Sequence, residues 1–495
     1  MKIEIGKKEL RLSQIAEMCG GMLVGCDRAV GYLCTDSRET DSRTLFVALC
    51  GEKTDGHAYL ESVLTAGGAG AICREYSGVF PDGAGVIQVP QPEEALKRLA
   101  SAYLSQFPIP KVAVTGSVGK TTTKELIACV LSSRFHPYRS EANYNSLIGM
   151  PLSALGVGPS HDVAVFEMGM SAPGEIGQMS RVAHPDIAVI TNVGSSHLEY
   201  LGSREGIARA KWEIAEGLRP DGAIIVDGEE PLLFEKVKAA EVSDPSLKGI
   251  CLAGEGASSA YRLSNIRLFP EEQKTVFCLV TPEGQMTDLT VPALGVHLAH
   301  DAAYAAVVGQ LLGMREEEIR RGLLSYRTAW LRQRLLTVGP YRILEDCYNA
   351  SPESVRAALA VLQSLSGESA SRMVAVLGDM RELGADSRRL HRETGADVAA
   401  KGISLLMTLG ESGQDIAFGA LRAGMDAGSI LPFRELEDLA PAAEMLMAHL
   451  QPGDVILVKA SRAVAAERLV AELEKRVCAD RVPKRCCGPR TGKEQ

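Results

Sequence analysis

The segment that most constrains this chain is VAVTGSVGKTTTK at residues 112–124. Apolar residues of β type, a turn with two glycines and a lysine followed by threonines predict a strand, a phosphate-binding loop and the start of a helix. Gly116 and Gly119 allow the backbone to turn with its N–H groups pointing inward, and Lys120 supplies an ammonium for triphosphate charge. Thr121 offers a hydroxyl to a magnesium ion. The segment therefore predicts a nucleotide site for ATP or GTP.

The loop departs from the full phosphate-loop pattern at one position. The pattern GxxxxGK[ST] has a glycine five residues before Gly119, where this chain has Val114. The chain therefore carries a shortened loop. The alternative interpretation is an ordinary glycine turn between a strand and a helix.

Three apolar segments follow the loop and alternate with predicted helices: DVAVFE, DIAVITN and GAIIVDG. This alternation predicts a parallel sheet covered on both faces, and ligands bind beyond the carboxyl ends of the strands in such sheets. Glu167, Asn192 and His197 lie at or just past those ends. A carboxylate and an imidazole near a triphosphate are suitable magnesium ligands. We therefore expect these residues to converge with the glycine loop in one crevice.

Other polar residues are ambiguous when only the residues themselves are considered. Lys211 lies in the predicted helix SREGIARAKWEIAEGL, where helical spacing alone places it on the surface. Asp55, Gly56 and His57 form a turn with a titratable tip, and such turns are usually structural.

The chain is long enough for about three domains. Residues 1–108 predict a small α/β domain, and residues 109–325 predict a central ATPase-like domain built on a parallel sheet. Residues 326–478 contain four apolar strands separated by helices and predict a Rossmann-like α/β domain. The basic tail at residues 479–495 lacks periodicity and is predicted to be disordered.

Composition and charge exclude several classes of function. A formal net charge of −9 leaves no basic stripe for nucleic acid. The amino terminus has no apolar core of a signal peptide, and no run of about eighteen apolar residues predicts a membrane span. The twelve cysteines show no ligand or pairing pattern, which favours reduced thiols and a cytoplasmic protein.

Eight segments, in their order and spacing, resemble the Mur ligases of peptidoglycan synthesis along almost the whole chain. They are TGSVGKTTT, NYNSLIGMP, FEMGMSAPGEI, ITNVGSSHLEYLGS, ARAKWEI, DCYNASPESV, LGDMRELG and VKASR. The DCYNASP and LGDMRELG segments are similar to those of the family branch that uses D-alanyl-D-alanine. The resemblance implies the three-domain fold above, ATP and Mg²⁺ as cofactors, and a monomer whose small-molecule partners are UDP-N-acetylmuramoyl-tripeptide and D-alanyl-D-alanine.

The functional residues of the family can be carried over to the matching positions of this sequence. The resemblance implies that the nucleotide-sugar substrate is bound by Thr35, Asp36, Ser37, Arg38, Asp55, His57, Asn143 and Asn145. It implies that ATP is bound by Gly116, Ser117, Val118, Gly119, Lys120, Thr121, Thr122, His297, Arg332, Asp346 and Asn349. The implied catalytic residues are Lys120, Glu167, His197 and Lys211. The implied metal-side residues are Thr121, Glu167, His197 and Lys211, where Lys211 reacts with carbon dioxide and becomes a carbamate.

The reaction implied by the resemblance is amide formation through an acyl phosphate. ATP would phosphorylate the terminal carboxylate of the tripeptide, and the amine of D-alanyl-D-alanine would displace the phosphate. Two alternatives stay open: a Mur-type or folylpolyglutamate-type ligase with another amino donor, and a nucleotide-binding homologue without catalytic activity. The chain departs from the family pattern at Ser146, Leu298, Asp301 and Ala460.

Overall fold

The computed structural model describes residues 1–7, 9–51, 54–78, 81, 83–141, 143–254, 259–367 and 371–480. The chain divides into two compact units, Met1–Arg327 and Thr328–Gln495. Its large sheets have six, nine and six strands, and helices separate most of the strands. Each of these sheets lies within one of the three predicted domains, which confirms the predicted α/β fold class. The domain boundaries themselves stay predictions.

The amino-terminal part of the first unit is built on a six-stranded mixed sheet with the order β1-β5-β6-β7-β8-β3, beside a small β2-β4 pair. Its elements are β1 (Lys2–Glu4), β2 (Leu10–Arg11), α1 (Leu12–Cys19), β3 (Met22–Gly25), β4 (Ala29–Val30), β5 (Tyr32–Cys34), β6 (Thr44–Val47), α2 (Leu60–Thr65), β7 (Gly70–Cys73), β8 (Gly85–Gln88) and α3 (Pro92–Leu104).

The central part of the first unit is built on a nine-stranded sheet with the order β10-β11-β9-β12-β13-β14-β15-β16-β17. Its elements up to α9 are β9 (Lys111–Thr115), α4 (Lys120–Ser132), β10 (Pro137–Arg139), α5 (Gly149–Ala154), β11 (Val163–Glu167), α6 (Glu175–Ala183), β12 (Ile187–Ile190), α7 (Leu198–Leu201), α8 (Arg204–Trp212), β13 (Ala223–Asp227) and α9 (Pro231–Ser243). The remaining elements are β14 (Lys248–Ala253), β15 (Tyr261–Phe269), β16 (Lys274–Thr281), β17 (Gly284–Val291), α10 (Val296–Leu311) and α11 (Glu316–Leu324).

Strand β9 lies between β11 and β12 and is paired in parallel with both. Successive side chains of a strand point to opposite faces, and both faces of this sheet are covered. Ala113 and Phe166 therefore pack into one hydrophobic core, while Val112, Val114 and Val165 pack into the other. This double burial explains the continuous apolar run before the phosphate-binding loop.

The far edge of the central sheet differs from the prediction. Strands β15, β16 and β17 pair in antiparallel fashion and extend the parallel sheet by a meander that the sequence analysis does not predict. Strand β17 ends at Val291, and helix α10 begins five residues later at Val296.

The second unit is built on a six-stranded sheet with the order β18-β19-β23-β20-β21-β22, in which only β18 is antiparallel to its neighbour. Its elements are β18 (Arg334–Val338), β19 (Tyr341–Asp346), α12 (Pro352–Ser366), β20 (Met373–Gly378), α13 (Ser387–Ala400), β21 (Leu405–Leu409), α14 (Gly413–Arg422), β22 (Ile430–Phe433), α15 (Ala440–Met447), β23 (Val455–Lys459) and α16 (Glu467–Asp480). The four predicted strands are β19, β20, β21 and β23. Helix α16 ends two residues into the predicted tail, and residues 481–495 lie outside the described residues.

Two further expectations concern the whole chain. Across the described ranges, no helix combines the length and the apolar character that a membrane crossing requires. The ten cysteines in those ranges are all free thiols, as the scattered spacing predicts.

Candidate active site

The phosphate-binding loop, residues 116–119, joins β9 to α4 and requires both of its glycines. Gly116 has φ +155° and Gly119 has φ +85°. A β-carbon on Gly116 would lie 1.8 Å from Thr191 Oγ1, and one on Gly119 would lie 2.7 Å from Asp301 Oδ1. A side chain at position 116 would therefore collide with Thr191, and one at position 119 would displace the carboxylate of Asp301 and strain a left-handed backbone.

Lys120 is the first residue of α4, and its side chain turns back over the loop. Its Nζ donates to the carbonyl oxygen of Gly116 at 2.7 Å and to that of Ser117 at 3.4 Å. The ammonium, the first N–H groups of the helix and the helix dipole all favour an anion at this point. Thr121 follows in the first turn of the same helix. The geometry fits the predicted binding of a triphosphate.

A second loop, after β12, is bonded to the phosphate-binding loop. The side chain of Asn192 accepts from the Val118 N–H at 3.0 Å and donates to the Val118 carbonyl at 2.9 Å. Thr191 Oγ1 donates to the same carbonyl at 2.6 Å, and the Gly194 N–H donates to Ser117 Oγ at 2.9 Å. The position of Asn192 just past a strand predicts that it lies at the crevice but gives it no role, and the structure shows that its side chain holds the backbone of Val118.

Glu167 ends strand β11 with a buried carboxylate. Its Oε1 accepts from Asn145 Nδ2 at 2.7 Å, and its backbone N–H donates to Ser140 Oγ at 3.2 Å. Its Oε2 is buried and has no hydrogen-bond partner within the described part of the chain. The structure therefore brings together Glu167 and Asn145, and one carboxylate oxygen stays available for a cation.

Lys211 is buried, so the surface position predicted from helical spacing is wrong. It is 1% exposed because it follows Ile207 by four residues on α8 and so shares the helix face that packs into the core. Burial lowers the pKa of the Lys211 ammonium well below its ordinary value, and the charge of Lys120 lowers it further. No hydrogen bond or ion pair to Lys211 is found among the described residues. Its ammonium therefore gives up a proton more readily than that of an exposed lysine, and the neutral amine that results is a nucleophile.

His197 adopts a backbone conformation that is rare for its residue type. It immediately precedes α7 with φ +64° and ψ +21°, in the left-handed region. Such conformations cost energy and persist where the surrounding structure holds them, often at functional sites. The strain supports a functional position for His197 beyond the end of β12.

The donor groups near the loop fit a magnesium ion. Mg²⁺ prefers oxygen ligands, which the open carboxylate oxygen of Glu167 and the hydroxyl of Thr121 can supply. The amine of Lys211 offers no oxygen unless it is carboxylated, and its lowered pKa permits that reaction. The imidazole of His197 is a less typical ligand for this metal.

The substrate-side residues of the amino-terminal sheet are engaged with one another. The guanidinium of Arg38 donates to both carboxylate oxygens of Asp36 at 2.9 Å and 2.6 Å, and this pairing holds the pKa of Asp36 well below its usual range. His57 donates from Nδ1 to Asp55 Oδ1 at 2.6 Å, because its Nε2 accepts from the Arg74 N–H at 2.9 Å.

The side chains of Cys50, Asp55 and His57 lie within 4.8 Å of one another, as ligands of a metal would. Both ring nitrogens of His57 are already hydrogen-bonded, and Asp55 receives the Nδ1 proton. A metal-bound imidazole normally carries a proton on its other nitrogen, which would face the Arg74 N–H here. The cluster is therefore a hydrogen-bonded turn.

Tyr144, between the two predicted asparagines, connects the substrate-side segments. Burial and the nearby charges of Glu141 and Glu39 raise the pKa of its hydroxyl, and the backbone of Lys2 lies close enough to lower that pKa in part. Within the first unit, the segment with Asn143 and Asn145 therefore adjoins the segment that follows β5.

Three predicted nucleotide-binding residues gather within the second unit. Lys459 Nζ donates to Asp346 Oδ2 at 2.6 Å and to the carbonyl oxygen of Asn349 at 2.8 Å. The guanidinium of Arg332 lies 4.2 Å from the ring centre of Tyr348. Their contacts with a nucleotide stay a prediction.

Departures from the family pattern have structural explanations at two positions of α10. Leu298 is buried in the hydrophobic core of the central sheet. Asp301 accepts from Thr123 Oγ1 at 2.9 Å, so its carboxylate is bonded to the helix that follows the phosphate-binding loop.

The ring of His297, a predicted nucleotide-binding residue, folds over Gly295, where a β-carbon would lie 2.3 Å from its Cε1.

Asp227 is a residue near the crevice that the sequence analysis does not select. It ends strand β13, and burial raises the pKa of its carboxyl from 3.8 to about 6. Its Oδ1 accepts from the Glu229 N–H at 2.9 Å. The charges of Glu229 and Glu230 act in the same direction as burial.

We predict that Asp227→Asn raises the Tm at pH 8 and leaves it unchanged at pH 4. Because its pKa is higher in the folded state, the carboxyl stabilises the fold least once it is ionised, above about pH 6. The rise in the pKa of Asp227 corresponds to at most about 3 kcal/mol of unfolding free energy, and the partial exposure of the carboxyl reduces this amount. Thermal unfolding at the two pH values is the measurement. The exposed Asp244, whose pKa is lowered, is the control: Asp244→Asn gives no rise in Tm at pH 8.

The site defines a nucleotide-dependent enzyme of the α/β class, because it joins a parallel sheet, a glycine loop at a helix start, a buried carboxylate and a buried lysine of lowered pKa. Residues 114–309 match the Mur ligase middle domain, and residues 327–462 match the Mur ligase glutamate ligase domain. The chain belongs to the Mur ligase family, and it is a ligase.

Three relatives identify the part of the family that this chain resembles. The UDP-N-acetylmuramoyl-tripeptide–D-alanyl-D-alanine ligase of Bacillus subtilis is 36% identical over 93% of this chain and 98% of the relative. A crystal structure of MurF from Acinetobacter baumannii has a TM-score of 0.85 at 28% identity and covers 95% of this chain and 100% of its own. The structure of MurF ligase from Thermotoga maritima in complex with ADP has a TM-score of 0.78 at 27% identity, and the match covers 90% of this chain and 98% of that structure's chain. The predicted resemblance is confirmed.

Proposed function

We propose that this chain joins D-alanyl-D-alanine to the terminal carboxylate of UDP-N-acetylmuramoyl-tripeptide and converts ATP to ADP and phosphate. The names of its relatives support the two substrates, and the ADP complex of one of them supports the nucleotide. The observation that carries the chemistry is a phosphate-binding loop whose lysine lies near a second, buried lysine of lowered pKa. We further propose that the enzyme acts in the cytoplasm as a monomer.

The loop and the start of α4 bind the phosphates of ATP in this proposal. Lys120 shifts from the carbonyl of Gly116 to the transferred phosphoryl group, since an anion is a stronger partner than a carbonyl. Asn192 and Thr191 keep the loop in shape by holding Val118. These contacts exist before the nucleotide arrives, so the loop is preorganised for binding.

Thr121, Glu167, His197 and carboxylated Lys211 would hold magnesium. When it is bound, the metal supplies positive charge that offsets the charge of the triphosphate. Glu167 takes part through its open Oε2, while Asn145 orients the carboxylate through Oε1. The carbamate forms when the neutral amine of Lys211 attacks carbon dioxide and releases a proton.

The amide bond forms in two steps. An oxygen of the peptide carboxylate attacks the γ-phosphorus of ATP, so ADP leaves and an acyl phosphate forms. The neutral amine of D-alanyl-D-alanine then attacks the acyl carbon, the carbon–oxygen bond to phosphate breaks as phosphate leaves, and the nitrogen releases a proton. The protein places the reactants and stabilises the transferred charge, and water must be excluded because it would hydrolyse the acyl phosphate.

The substrate ends are assigned to separate segments. The nucleotide-sugar end is proposed to meet Thr35 to Arg38 and the Asp55–His57 turn. The peptide is proposed to meet Asn143 and Asn145. Two facts support this division: Tyr144 adjoins the first segment, and Asn145 bonds Glu167.

Phosphate release with a panel of amino donors tests the function. We expect release from ATP with magnesium and UDP-N-acetylmuramoyl-tripeptide that depends on D-alanyl-D-alanine. L-Alanyl-L-alanine, D-glutamate and diaminopimelate are the matched donors that give only background release.

Two other results of the same assay point to the alternatives. Release with a different donor alone identifies a related amide ligase. ATP binding without release on any donor identifies a homologue that does not catalyse, and either result contradicts the proposal.

A further inference from the structure

Lys124 is a buried lysine that the proposed reaction does not use. It lies on α4 four residues after Lys120, about one helical turn from it on the same face. It is only 1% exposed. A lysine is almost never fully buried without partners, because removing an ammonium from water is costly. The partners of Lys124 therefore indicate what its charge is for.

The ammonium of Lys124 meets oxygens from three segments of the first unit. Its Nζ donates to the carbonyl oxygen of Ser140 at 2.8 Å, and Glu125 Oε1 lies 3.1 Å away. Glu167 Oε2 lies 3.9 Å away, at the end of β11. An ammonium carries three protons, so one can point toward Glu167 while the other two point toward Ser140 and Glu125.

Glu167 is also held from its other side. Asn145 donates to Oε1, and Ser140 Oγ accepts from the Glu167 backbone N–H. Lys124 thus bonds the same residue, Ser140, that fixes the backbone of Glu167. The carboxylate lies between an amide on one oxygen and an ammonium near the other.

We propose that Lys124 is a positioning residue for Glu167. Its ammonium keeps the carboxylate in the orientation in which Oε2 is open to a divalent cation, and it ties that orientation to Ser140. The inference rests on the proposed function in one respect, the placing of Glu167 beside the metal. If Lys124 were only a counter-charge, its removal would have the opposite effect on cation affinity. The site would become more negative and would bind a cation more tightly.

The test measures cation binding without the ligase reaction. Mn²⁺ replaces Mg²⁺, and the decrease of its free electron paramagnetic resonance signal reports binding to the full chain with a non-hydrolysable ATP analogue. We expect Lys124→Met, which keeps the length of the side chain, to raise the Kd of Mn²⁺ about tenfold or more. Glu167→Gln raises the Kd of Mn²⁺ similarly. The Kd of the double variant is only slightly higher than that of Glu167→Gln, because both changes disrupt the same arrangement of the Glu167 carboxylate.

Lys111 provides the matched control. It is another buried lysine, whose Nζ donates to the carbonyls of Phe107 and Ile109 at the start of β9, the strand end remote from the loop. Lys111→Met is expected to lower the Tm and to leave the Kd of Mn²⁺ unchanged. Lys124→Gln, which retains a donor for Ser140, is the second variant if Lys124→Met does not fold.

The outcomes separate this inference from the proposed function. An unchanged or lower Kd in folded Lys124→Met or Lys124→Gln overturns the positioning role, as does a fully additive effect with Glu167→Gln. Wild-type protein that binds no more Mn²⁺ than Glu167→Gln also overturns it. A wild-type chain that shows the Mn²⁺ difference but releases no phosphate with any donor contradicts the ligase proposal and supports the positioning role.

Discussion

Lys211→Ala is expected to lower the turnover number by about 100-fold or more, and short carboxylates such as formate or acetate are expected to restore part of it. The reason is that a carbamate contributes negative oxygen ligands worth several kcal/mol near the triphosphate. The buried amine has a lowered pKa and no hydrogen-bond or ion-pair partner among the described residues, which supports carboxylation at Lys211. Steady-state phosphate release with and without added carboxylate is the measurement.

A direct signal and a matched lysine complete this test. Protein equilibrated with ¹³C-bicarbonate is expected to show a carbamate carbon resonance that Lys211→Ala lacks. Lys236, a partly buried lysine whose pKa is also lowered, lies over the ring of Trp212, so Lys236→Ala is the control that keeps its activity. Full activity of Lys211→Ala, or no difference in the resonance, contradicts the carbamate.

Gly116→Ala is expected to reduce activity by about 100-fold, mainly through loss of ATP binding. The new β-carbon would lie 1.8 Å from Thr191 Oγ1, the atom that holds the Val118 carbonyl. Either the loop or the segment after β12 must move, and a misplacement of about 1 Å at a reacting group can cost this much. Calorimetric titration with an ATP analogue measures the effect.

Gly174→Ala is the matched control for strain. Gly174 has φ +86°, but a β-carbon there would meet nothing within 4 Å. Gly174→Ala therefore introduces the backbone strain of a non-glycine residue in the left-handed region, but its new β-carbon clashes with no neighbour. We expect this variant to bind the ATP analogue normally. Equal loss of binding in both variants would show that general destabilisation, and not the collision at the loop, is responsible.

The sequence predicts the framework of the site well, because strand ends and phosphate-binding loops are local patterns. Glu167, Asn192 and the loop lie at the carboxyl edge of one parallel sheet, where the alternation of strands and helices places them. The hydrogen bond between Asn145 and Glu167 is not predictable in the same way. It joins residues from two loops, and only the folded chain shows which amide reaches which carboxylate.

The two buried lysines of the site are harder to predict for a physical reason. Lysine is usually exposed, so a local pattern places Lys124 and Lys211 at the surface. Their burial depends on the partners that the fold provides: three oxygens for Lys124 and none among the described residues for Lys211. Family resemblance selects Lys211 but not Lys124, which becomes visible only through its contacts.

The bond between Asn192 and Val118 has a consequence for how the loop can vary. The side-chain amide of Asn192 bonds the peptide N–H and carbonyl of Val118, a pair of groups that every residue except proline possesses. The side chain at position 118 is therefore free to change in type, while position 192 must keep one donor and one acceptor. The loop is recognised by its main chain, so an engineered library can randomise residue 118 to tune the approach to the nucleotide without loosening the loop.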